Sequence, residues 1–123
     1  MALYIEEANP GGAPLLKELF GNATAEKVLL YLEHFGEGYG KAIADTFGIS
    51  VHMAQRQLAR FERAGLLVSV LKGRTRLFVW NPRYPFVEQV RSLLREALRR
   101  IPADEQAKYF SQRRRPRRAG KPL

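Results

Sequence analysis

Apolar positions recur at helical spacing along most of the chain and change to strand-like runs in only one stretch. Leu15, Leu16, Leu19 and Phe20 share one stripe of a short helix that Gly21 closes. Thr24 reads as the N-cap of a second helix, whose apolar face is Val28, Leu29, Leu32 and Phe35. Gly36, Gly38 and Gly40 then break the chain, with Tyr39 placed for a very short first strand. Ile43, Ala44 and Phe47 point inward from a third helix over 41–47, and Ala54, Leu58 and Phe61 do so from a fourth over 51–64. The runs 66–72 and 75–80 are rich in β-branched and aromatic residues and are joined by Gly73-Arg74, which predicts a β-hairpin. Phe86, Val90, Leu93, Leu94, Ala97, Leu98 and Ile101 return to helical spacing and predict a fifth helix over 86–101. Trp80 and Phe78 read as core or interface packing.

The link between the third and fourth helices has a physical logic of its own. Gly48 can adopt the left-handed conformation that ends a helix, because it has no Cβ to clash. Ile49 can plug the core, and Ser50 can cap the next helix. Two helices, a tight glycine turn, an apolar pivot and a capping serine make a helix-turn-helix. Opposite its apolar stripe, the fourth helix carries His52, Arg56, Ala59 and Arg63, flanked by Gln55 and Arg60. Lys72, Arg74 and Arg76 gather at the tip of the hairpin.

Charge sharpens this reading. The 123 residues carry a formal charge of +9, which points to a polyanionic partner, either nucleic acid or an acidic membrane surface. From Ser111 to Leu123 there are five arginines, one lysine and no acid, so six of the nine net charges lie in this tail and three on the rest. With 46% hydrophobic residues the chain has enough apolar material for one domain with one core. Cysteine is absent, which rules out disulfides, thiolate metal sites and a cysteine nucleophile; His34 and His52 are the only imidazoles. No apolar run is long enough to span a bilayer and the start lacks the features of a secretory signal, so a cytoplasmic protein with no membrane partner is expected.

Three stretches, in order, carry a resemblance to a known group. Residues 40–50, Gly-Lys-Ala-Ile-Ala-Asp-Thr-Phe-Gly-Ile-Ser, resemble the first helix and turn of winged-helix regulators of the ArsR and MarR kind. Residues 57–67, Gln-Leu-Ala-Arg-Phe-Glu-Arg-Ala-Gly-Leu-Leu, are similar to the end of their recognition helix and the entry to the wing. Residues 72–78, Lys-Gly-Arg-Thr-Arg-Leu-Phe, are similar to their wing. The segments 19–22 and 27–32 also resemble small winged-helix proteins that are sometimes fused to nucleotidyltransferase domains. The resemblance covers roughly residues 14–101 and implies a mostly α winged helix-turn-helix with a small β-hairpin, an α+β fold. Two departures limit what carries over: there are no metal-sensing cysteines, and the flanking helices are shorter than those that usually frame a ligand pocket in MarR-type proteins, so an inducer site does not carry over.

That frame assigns roles. A recognition helix presents its N-terminal residues to base edges in the major groove. His52, Gln55 and Arg56 are therefore the candidate base readers, Gln suiting adenine and Arg guanine. Arg60 and Arg63 are placed for phosphates, Lys72, Arg74 and Arg76 for the backbone or minor groove, and Ser50 and Thr24 for phosphate at capped helix ends. Arg113, Arg114, Arg115, Arg117 and Arg118 read as a phosphate-binding arm. Leu15, Leu16, Phe20, Val90, Leu93, Leu94, Ala97, Leu98 and Ile101 are the candidate face of a two-fold homodimer. Residues 1–13 are expected to be a loose arm, and 102–123 a basic tail without fixed structure in the absence of a partner.

The function expected is a sequence-specific, double-stranded-DNA-binding transcription regulator, a dimeric repressor. No cofactor is expected, and the sequence leaves open whether a small-molecule effector acts on it. The alternative is a non-specific nucleic-acid binder, either chromatin-like or an RNA- or ribosome-associated winged helix. A winged helix used only to bind protein ranks last, because the outward face is basic. No paired carboxylates, Ser-His-Asp set, phosphate-binding loop or metal-ligand spacing suggests an enzyme.

Overall fold

The computed structural model describes residues 16–111, and within them the chain is an α+β structure of six helices and one three-stranded antiparallel sheet. In chain order these are α1 (Lys17–Phe20), α2 (Ala23–Phe35), β1 (Glu37–Tyr39), α3 (Gly40–Phe47) and α4 (Val51–Arg63). Beyond them lie β2 (Leu67–Lys72), β3 (Thr75–Trp80), α5 (Val87–Arg99) and α6 (Ala103–Tyr109). The arm expected at 1–13, Leu15 and the arginines at 113–118 lie outside the described residues.

Helix α2 is the central element, packed against α1, α4 and α5. Its Val28, Leu29 and Leu32 are fully buried with Ile43 of α3, Leu58 of α4 and Leu94 of α5. Its start differs from the expectation. Asn22, not Thr24, is the cap, and its side-chain oxygen accepts the Ala25 N–H at 2.7 Å. Capping two residues earlier adds helix on the N-terminal side and brings Ala25 and Glu26 into the interior, where the Glu26 carboxylate accepts the Leu16 N–H.

The turn after α3 forms as its residues require. Gly48 sits at φ 68° and ψ 34°, Ile49 N–H donates back to the Ala44 carbonyl at 3.0 Å, and the Ser50 hydroxyl accepts the Met53 N–H at 3.0 Å. The sheet has the order β1-β3-β2, with Leu67 opposite Trp80, Lys72 opposite Thr75, and Gly38 opposite Phe78. The Trp80 indole N–H donates to the Leu32 carbonyl at 3.3 Å and ties the sheet to α2. From α5, Arg91 and Arg95 grip the two oxygens of Glu33 on α2 at 2.7 and 3.0 Å. The Arg91 guanidinium also lies 5.6 Å from the centre of the Trp80 ring.

Three further expectations are corrected by the fold. Composition predicts no structure over 102–123, yet 103–109 form α6, and the residue after it, Phe110, is buried. Acidic Asp104 and Glu105 occupy its first turn, where the helix dipole favours them, and the Gln106 side-chain amide donates to the Leu98 carbonyl. The second correction concerns the homodimer face. Leu16, Leu94, Ala97 and Leu98 are buried in the chain's own core, and Phe20, Val90 and Ile101 pack partly against it. Among the described residues of that set only Leu93 is exposed, because α5 spends its apolar stripe covering α2. Leu19, expected on the inward stripe, is also exposed: α1 has only four residues, and Leu16 and Phe20 take its inward side.

A Cβ at Gly48 would meet nothing within 4 Å, so Gly48→Ala isolates the backbone cost of the left-handed conformation. Chemical denaturation should give a loss of about 1–2 kcal/mol for it, and a smaller loss for Gly48→Asn. Burial raises the Tyr31 phenol above its ordinary value of 10.0. Its neutral form is therefore favoured on folding, so this contribution is full below pH 10.0 and is lost as pH rises through the higher folded value. Melting curves in that alkaline range should fall less steeply for Tyr31→Phe than for the unaltered chain.

Candidate nucleic-acid interface

Helix α4 is amphipathic in the plain sense. Ala54, Leu58 and Phe61 are buried, and the opposite side faces water. His52, Gln55, Arg56 and Arg63 are all exposed on that side, and none of their side chains makes a hydrogen bond or ion pair with another described residue. The Ser50 hydroxyl is taken up in capping α4, which leaves the free N–H groups of its first turn pointing outward from an exposed end. The side chain of Gln55 lies close over Gly40, where a Cβ would come within 2.9 Å of the Gln55 Cγ. Gly40 therefore lets α3 and α4 approach closely, and Gln55 leans on the start of α3 while remaining exposed.

Arg60 does not join this face. Its guanidinium donates to the Phe20 carbonyl at 2.7 Å and to the Gln57 side-chain oxygen at 2.6 Å, and it lies 4.8 Å from the centre of the Phe61 ring. Expected as a phosphate contact, Arg60 instead caps the carbonyl end of α1 and holds it to α4. The reason is positional. On the helical wheel it borders the buried stripe, and the last turn of α1 leaves carbonyls without helical partners.

Across the turn Gly73-Arg74, with Gly73 at φ 64°, the side chains of Lys72 and Arg74 are exposed and have no polar partner among the described residues. Arg76 donates to the Ser69 hydroxyl at 3.2 Å, and that hydroxyl donates to Glu62 of α4 at 2.8 Å. This short relay joins both strands of the hairpin to the end of α4 and engages the one acid on that helix. Arg76 keeps further N–H donors exposed. Thr24, expected at a phosphate-facing cap, lies within α2.

Met53 joins the surface without having been among the candidates from sequence. It is 45% exposed at the start of α4, beside the basic side chains, and its thioether could lie against the methyl group of a thymine. Helical spacing places it there, but an apolar residue attracts notice only when it is expected to be buried. The elements thus bring His52, Met53, Gln55, Arg56 and Arg63 of α4 into one surface, with Lys72, Arg74 and Arg76 on the adjoining hairpin. No protein-family model matches the chain, and no curated protein matches its sequence. Among the described residues no helix is long and apolar enough to cross a membrane.

The different roles of two arginines on one helix are separable. Arg60→Ala should lower stability by about 1–3 kcal/mol in urea melts, since it leaves the Phe20 carbonyl without its charged donor. Arg56→Ala should leave stability within about 0.5 kcal/mol, as expected for an exposed side chain with no partner.

Proposed function

We propose that this chain is a winged helix-turn-helix DNA-binding regulator that reads the major groove with α4 and grips the backbone or adjacent minor groove with the β2–β3 wing. The observation that carries the proposal is the outward side of α4. A helix that is buried on one side and fixed at its start by Ser50 presents His52, Gln55, Arg56 and Arg63 with no use for them inside the fold. Arg56 has the planar, two-donor geometry that suits guanine O6 and N7, and Gln55 the amide that suits adenine N6 and N7. Lys72, at the end of β2, and Arg74, in the turn, are exposed at the tip of the hairpin, where they would meet phosphates on either side of the groove.

Repression by occlusion of a promoter is the simplest action for such a protein, since it requires only tight and selective binding. A homodimer remains part of the proposal, but its surface must differ from the nine-residue face expected from spacing, with Leu93 and the exposed Phe86 of the α5 segment as its apolar contacts. The non-specific alternative draws on one feature, the concentration of six of the nine net charges in the tail.

The test is selection from a pool of random duplexes, with fluorescence-anisotropy titrations of the selected pool over a series of salt concentrations. A recovered motif is expected. On it, Arg56→Ala should weaken binding by about 1–3 kcal/mol and relax preference at one base pair. Arg74→Ala should weaken all sequences alike and reduce the salt slope by about one unit. Recovery of no motif, with Arg56→Ala indistinguishable from Arg74→Ala, would leave the non-specific binder in its place.

A further inference from the structure

Strand β2 is an outer strand of the sheet, and among the described residues no strand pairs with its far edge. Its register with β3 fixes which of its groups face that edge. Lys72 and Thr75 flank the two-residue turn, and the Asn81 N–H donates to the Leu66 carbonyl at 3.0 Å. The even-numbered residues of 66–72 therefore bond to β3, and the N–H and C=O groups of Leu67, Ser69 and Leu71 point outward. Leu67 is only 1% exposed, so its groups are covered. Ser69 is half-buried and Leu71 exposed, and their groups are the open ones.

An outer strand ordinarily carries a device against pairing, such as an inward charge, a proline or a bulge. In β2 the register is unbroken, there is no proline, and the single charge is the terminal Lys72. Val68, Val70 and Leu71 are instead exposed to 37%, 49% and 61%. The Ser69 hydroxyl meets Glu62 of α4, so Ser69 and Leu71 lie on the α4 side of the sheet, with Val68 and Val70 on the other.

We propose that two copies of this chain pair β2 with β2, antiparallel, across a two-fold axis at Val70, joining their sheets into one. The open groups select that register. Ser69 of each copy stands opposite Leu71 of the other, and each such pair exchanges both hydrogen bonds, so every open group is used. A shift in one direction would call on the covered groups of Leu67, and a shift in the other would set Ser69 against Gly73 in the turn. On the side away from α4, Val70 meets Val70, and Val68 lies beside the aliphatic stem of Lys72. No like charges stand opposite one another, and Gly73, which has no side chain, falls opposite the covered Leu67. The axis is perpendicular to the sheet, so both copies of α4 lie on the same side of it. This pairing does not depend on the DNA-binding reading. It is separate from the contacts at Leu93 and Phe86, and a chain using both would assemble beyond the dimer.

The chain has no cysteine, so one introduced thiol reads the register directly. At the axis the two copies of residue 70 form a non-hydrogen-bonded pair with Cα atoms about 4.5 Å apart, within disulfide reach. The two copies of residue 68 are displaced by about 13 Å along the strands, beyond that reach. In mild oxidation of the full chain without nucleic acid, Val70→Cys is expected to cross-link at least about tenfold faster than Val68→Cys. Val70→Lys, checked for folding by its melt, sets like charges face to face at the axis and should shift sedimentation toward smaller species. Equal cross-linking of the two cysteine variants, or none from Val70→Cys, would overturn the pairing. Sedimentation unchanged by Val70→Lys would overturn it as well, and a shift from Leu93→Lys alone would place the whole assembly on α5.

Discussion

The whole presentation of α4 depends on the three-residue turn Gly48-Ile49-Ser50. Gly48 reverses the chain in a left-handed conformation, Ile49 packs against the core, and Ser50 starts the next helix at a defined residue. If the helix began one residue later, its wheel would turn by about 100°, exchanging buried for exposed positions. The turn is short enough to leave α3 and α4 no freedom of register, and Gly40 lets them meet closely against Gln55. The contacts made by the rest of α4 depend on that placement. Arg60 ties α1 to α4, and Glu62 ties α4 to the hairpin through Ser69 and Arg76. Each anchoring contact uses a residue at the edge of the buried stripe, so the outermost side chains stay free for a partner.

A second level of restraint runs through α2. Glu33 receives two arginines from α5, and Trp80 donates to Leu32, so one helix organises both the last long helix and the sheet. Glu33 is almost wholly buried as a side chain while both arginines keep contact with water, which limits the desolvation penalty to one partner. The result is a scaffold that holds the basic side chains of α4 and of the hairpin tip on one framework.

The order of helices, the hairpin with its Gly73-Arg74 turn and the inward residues of α4 are legible in the sequence because they arise from spacing and turn chemistry alone. Four things are not. Asn22 and Thr24 are both good caps, and only the packing of Ala25 and Glu26 decides between them. The apolar stripe of α5 has the same spacing whether it meets a second chain or its own α2, so Leu94, Ala97 and Leu98 read as an outward face although they are core. Helix α6 is hidden by its polar composition beside an arginine-rich tail; its one signal, Tyr109-Phe110 at the end of a polar stretch, acquires meaning only once Phe47 is found beneath it. Arg60 belongs with these, since a basic residue at the rim of a helix face reads alike whether it meets phosphate or a carbonyl of its own chain.

The most direct measurement is an amide NMR titration of the full chain with a duplex recovered by selection, at more than one salt concentration. The account predicts the largest shifts at His52, Met53, Gln55, Arg56 and Arg63, with a second group at Lys72 to Arg74, and little change within α2 and α5. Shifts confined to α5 or the open edge of β2, with α4 silent at every salt concentration, would contradict it.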